Sequence, residues 1–78
     1  MATLATQLDT AFTVPAVGDF VVQVTGGMGV LERKQTAGAA YAECGRIADS
    51  AVIVSNPIAG MTYRIRLAYG SPTVQADQ

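Results

Sequence analysis

From Asp19 to Tyr69 the chain is a succession of short apolar stretches, each broken by glycine, proline or other small residues. Short strands with a small-residue turn at almost every break have the spacing of a small all-β fold. Phe20, Val22 and Val24 alternate with Val21, Gln23 and Thr25, the period of a half-buried strand. Gly26-Gly27 follows, and predicts a tight hairpin turn into a strand over 28–34. There Leu31 and Arg33 share one face, and Glu32 and Lys34 the other. Residues 35–40 read as a turn around Gly38, 41–44 as a short strand and 45–50 as a connection. The apolar run 51–55 suits a strand facing a core on both sides. After a loop at 56–60, Tyr63, Ile65, Leu67 and Tyr69 alternate with Arg64 and Arg66 in the clearest strand, and 73–76 closes the set. The expectation is about seven short antiparallel strands in a small sandwich or barrel.

Residues 1–17 differ. They are rich in Ala and Thr and carry one charge, Asp9. Leu4 and Leu8 have helical spacing, but the threonines favour extended chain. The segment reads as an N-terminal arm or a first strand near 11–14, set off from an 18–78 domain by Pro15 and Gly18. As an arm, it would carry Leu4 and Leu8 to a neighbouring subunit.

At 78 residues the chain forms one domain with a thin core, and such domains usually need a staple. A single cysteine, Cys44, excludes an intrachain disulfide. With no histidine, no metal or other cofactor is expected. Self-association remains, possibly as a trimer, and half the residues are hydrophobic. The N-terminus lacks a basic region followed by an apolar run, so a reducing cytoplasm is the expected site of synthesis, with Cys44 a free, buried thiol. No stretch has the length of a membrane helix.

No constellation suggests a reaction. The six acids, Asp9, Asp19, Glu32, Glu43, Asp49 and Asp77, form no evident catalytic pair, and no imidazole is present to act as a base. The glycines at 26–29 lie between strands rather than before a helix, so they are no phosphate loop. Arg64 and Arg66 share a strand face, with Arg33 expected on a paired strand. These three are candidates for a protein interface, because the planar guanidinium pairs well with carboxylates. Single-stranded nucleic acid would want exposed aromatics beside them, yet Tyr63 and Tyr69 point the other way.

Gly60-Met61-Thr62-Tyr63, leading into Arg64-Ile65-Arg66-Leu67, resembles the tyrosine corner of fibronectin type III and immunoglobulin-like sandwiches. The resemblance implies a small immunoglobulin-like β-sandwich in which Tyr63, with Gly60, caps the core by bonding to loop backbone. The order Gly18-Asp19-Phe20, Gly26, Leu31-Glu32-Arg33, Gly38, Tyr41, Tyr63-Arg64-Ile65 is similar to small virion proteins of tailed bacteriophages. That second resemblance implies a non-enzymatic structural protein of the virion. It would be a capsid decoration, neck or tail component that binds itself and a major capsid or tail protein. A small carbohydrate- or ligand-binding β module is the alternative. A tyrosine exposed in a groove would favour it.

Overall fold

The computed structural model describes residues 2–78. It is all-β, with five strands: β1 (Thr3–Ala5), β2 (Phe12–Val14), β3 (Phe20–Lys34), β4 (Ala42–Val54) and β5 (Met61–Asp77). All belong to one antiparallel sheet of order β1-β5-β3-β4, with β2 also paired to β5. The sequence pattern predicts about seven strands. The number is smaller because three long strands run through points where a break was expected.

The glycine pair at 26–27 shows why. It bends β3 instead of reversing it. Before the bend β3 pairs Val24 with Val74 of β5 and Ser50 of β4; after it, Met28 pairs with Tyr69 and Ala48. All three strands break register along this line. Gly26 and Gly70 have φ of 88° and 78°, open to glycine without strain. Asp49 of β4 sits at φ 50°, and its carboxylate Oδ1 accepts the Gly26 N–H at 2.6 Å. Aspartate is among the few side chains that tolerate this region. Three aligned irregularities therefore fold the sheet along one line, as bulges do when they bend a sheet.

Folding brings the two halves of the sheet face to face. One half holds β1, 73–77 of β5, 20–25 of β3 and 50–54 of β4. The other holds β2, 61–69, 27–34 and 42–48. Phe20 from the first half meets Tyr63 from the second, edge to face, with ring centroids 4.8 Å apart. Phe12 of β2 stacks on Tyr63 at 6.0 Å and meets Phe20 edge-on at 6.3 Å. Val14, Val22, Val24, Leu31, Ile47, Ile65 and Val74 complete the core. The molecule spans 30 × 28 × 16 Å. Its short axis accommodates two layers at the usual spacing of about 10 Å.

The N-terminal segment is part of this packing. Thr3 and Ala5 pair with Asp77 and Ala76, and Phe12 to Val14 pair with Tyr63 to Met61. Phe12 and Val14 are buried, and Leu4 and Leu8 pack against the core. Of the two readings of this segment, the strand near 11–14 corresponds to β2, with Phe12 and Val14 facing inward, and a further short strand, β1, stands where the other reading places an arm. Leu4 and Leu8 are committed to packing against the chain's own core, where the arm reading places them at a protein interface.

At Gly27 and Gly70 the fold line leaves no room for a side chain. A Cβ at Gly27 would lie 2.5 Å from the Tyr69 carbonyl oxygen, and one at Gly70 would lie 2.9 Å from that of Gly26. Backbone atoms cannot move aside as a flexible side chain would. Gly27→Ala should destabilise by about 1–3 kcal/mol, the usual cost of overpacking. Gly38→Ala, with nothing within 4 Å, should stay within about 0.5 kcal/mol of the parent. Urea melts of the two variants check this.

Candidate interaction surface

Three arrangements carry the polar and reactive groups. The first is a buried knot at the end opposite the fold line. Tyr63 is fully buried, and its hydroxyl donates to Asn56 Oδ1 at 3.0 Å. Asn56, 1% exposed, passes the connection on, as its Nδ2 donates to the Ala16 carbonyl at 2.7 Å. The Asn56 carbonyl accepts the Gly18 N–H, and the Gly60 N–H donates to the Val14 carbonyl. The β2–β3 and β4–β5 loops are tied together in this way. Tyr63 reaches loop backbone through the Asn56 side chain, not directly as the corner resemblance implies. Gly60 stands at φ 82°, in the turn that starts β5. The only sequence signal for Asn56 is the Asn-Pro loop dipeptide, which carries no hint of burial.

The second arrangement is a charged face on the outside of the sheet. Register places Glu32 of β3 opposite Arg64 of β5. Arg64 Nε donates to Glu32 Oε1 at 2.9 Å and Arg66 Nε to Oε2 at 3.3 Å. Glu32 is 8% exposed. Burial alone would raise its carboxyl, but the hydrogen bonds from Arg64 and Arg66 outweigh that and hold it below the ordinary glutamate value. The Arg64 guanidinium also lies 3.9 Å from the centre of the Tyr41 ring, and Lys34 Nζ lies at 4.9 Å. Beside them, Arg46 forks onto both oxygens of Glu43. Val30, on the same face as Glu32, is buried, with Arg46 and Arg66 as its register partners on either side.

Arg33 does not join Arg64 and Arg66. It pairs with Tyr63 and faces the other side of the sheet, because side chains alternate along β3. There it lines the third arrangement, a cleft of about 450 Å³ on the β4 side, with Leu31, Cys44, Ile47, Val52 and Val54. Cys44 is exposed, not buried as expected. It is the extra residue of a bulge, since Leu31 pairs with Gly45 while Glu32 pairs with Glu43. Partial burial against the sheet raises its thiol above the ordinary value, which disfavours the thiolate.

Two further acids have structural partners. Asp49 holds the fold line, and Asp9 Oδ1 accepts the Leu67 N–H at 3.2 Å. Among the described residues, no three His, Cys, Asp or Glu side chains are grouped to hold a metal ion. Among these residues too, no helix is long and apolar enough to cross a membrane. No family model, curated protein or solved structure matches this chain.

Two substitutions test the polar assignments. Tyr63→Phe should cost about 1 kcal/mol or more, because it leaves a buried Asn56 oxygen without its donor. Equal denaturation midpoints for the two proteins would contradict the knot. Glu32→Gln should cost about 2 kcal/mol at neutral pH, the range for hydrogen bonds to charged groups. The folded Glu32 carboxyl is depressed, so the native state holds fewer protons than the unfolded chain near that value. Its contribution is complete above the ordinary glutamate pKa and is lost as pH falls through the folded one. Melts at a series of acidic pH values should therefore show a shallower loss of stability for Glu32→Gln than for the parent.

Proposed function

We propose that this protein is a non-enzymatic structural component of a virion, of the tailed-phage kind its sequence resembles. On this reading it works by binding copies of itself and a larger capsid or tail protein. The observation that carries the reading is the free edge of β4. This 13-residue strand pairs with β3 on one side and, among the described residues, with no strand on the other. An unpaired edge offers backbone donors and acceptors to another chain.

The chemistry of the side chains supports the same reading. Glu32 and Glu43 are neutralised by arginine, and Asp9 and Asp49 cap backbone N–H groups. The Cys44 thiol is raised. These groups are committed to holding the fold rather than poised for proton transfer or attack. Arg64 and Arg66 find their first partner within the chain, so the β4 side is favoured over the charged face for contact. The ligand-binding alternative asks for a tyrosine in a groove. Tyr69 is 58% exposed, but it does not line the cleft on the β4 side.

Sedimentation of the purified protein tests self-association. A species heavier than the 8.1 kDa monomer is expected. A folded monomer at the highest soluble concentration contradicts it. Mass spectrometry of purified phage particles tests the location, and consistent absence of the protein from them would contradict the virion assignment.

A further inference from the structure

β4 is not uniform along its free edge. The Cys44 bulge and the left-handed Asp49 interrupt its first part. Beyond Asp49 lies Ser50-Ala51-Val52-Ile53-Val54-Ser55, uncharged, free of proline and rich in β-branched residues. Natural edge strands are usually blunted by lysine, proline, bulges or a covering segment. This stretch has none of these. Ile53 is 74% exposed, more than any other large apolar side chain described. Val52 and Val54, on the opposite face, are half-buried along one lip of the cleft.

We propose that residues 51–55 pair antiparallel with the same stretch of a second copy, about a two-fold axis at Ile53. The inference rests on the self-association reading and names its partner and register. The other edges of the sheet, β1 and β2, are three residues each, so β4 is the strand of this chain that matches β4 in length. Self-pairing here brings no like charges together, because the stretch carries none. A two-fold axis perpendicular to the sheet keeps every side chain on its own face. Facing residues must then differ by an even number, which allows a centre on a residue and not between residues. With the centre at Ile53, Ile53 meets Ile53 of the partner subunit and Val52 meets Val54 of the partner subunit. Asp49 then falls opposite Pro57 of the partner subunit, so the bend and the proline both lie just outside the ladder. A centre at Val52 would place the Asp49 bend opposite Ser55 of the partner subunit. The pairing gives even-numbered assemblies, in place of the trimer the sequence suggested.

The test uses cysteine pairs and a charge. In a Cys44→Ser background, Ile53→Cys should form a covalent dimer on mild oxidation. Facing Cα atoms in an antiparallel pair lie about 4.5–5.5 Å apart, within disulfide range. Val52→Cys in the same background should cross-link far less, since its counterpart is two residues away in register. Ile53→Lys, at an exposed position, should keep the melt and weaken association by about tenfold or more, because two ammonium groups would meet. If Val52→Cys cross-links as well as Ile53→Cys, or if Ile53→Lys leaves a wild-type oligomer intact, the β4 pairing is wrong while self-association stands. If the wild type is a monomer and Ile53→Cys does not cross-link, both fall.

Discussion

The structure depends on the fold line through Gly26, Asp49 and Gly70. Along an uninterrupted strand Leu31 would point to the face of the sheet opposite Phe20, Val22 and Val24, but the irregularity between Val24 and Met28 brings it, with Tyr63 and Ile65, onto their face. Bending the sheet at a common line turns that face inward on both sides. The bend needs an irregularity in each of the three long strands at the same height. Two are glycines with positive φ, and the third is an aspartate whose carboxylate replaces a ladder bond with the Gly26 N–H. The close approach of Gly27 and Gly70 then fixes how tightly the strands cross.

At the opposite end the Tyr63–Asn56 knot holds the two halves together. A thin core of this size gains much from such closure, since no disulfide can contribute. The three rings of Phe12, Phe20 and Tyr63 fill the space between the knot and the aliphatic core. On the β5 side, β1, β2 and the Asp9 turn cover the edges of the two halves. Among the described residues the β4 side has no such cover, and the proposed association rests on that asymmetry.

Much of the strand content was legible in the sequence. Phe20, Val22, Val24, Tyr63 and Ile65 are inside, as their alternation predicts. The turns at 35–40 and 56–60 are loops. What local pattern could not supply is whether a glycine pair reverses a strand or bends it, since both need positive φ. The outcome at Gly26 depends on Gly70 and Asp49, which are distant in sequence. Tyr69 is exposed for a related reason: the register shifts between Leu67 and Tyr69, opposite Gly29 and Met28, so the alternation set by Tyr63 does not reach it. Residues 51–55, read as a strand buried on both faces, lie instead on an edge, where Ile53 meets solvent. For the surface groups, strand order decides. Glu32 comes beside Arg64 and Arg66 because β3 and β5 are neighbours in one sheet, a pairing that spacing along the chain does not encode.

The most direct test of the folded sheet is its pattern of cross-strand proton contacts in solution, measured by nuclear Overhauser spectroscopy. The structure predicts backbone contacts of Val24 with Val74 and of Met28 with Tyr69, together with ring contacts between Phe20 and Tyr63. A ladder joining 20–25 directly to 28–34 across a turn at Gly26-Gly27 would contradict it, because a strand that reverses there cannot also run through the fold line.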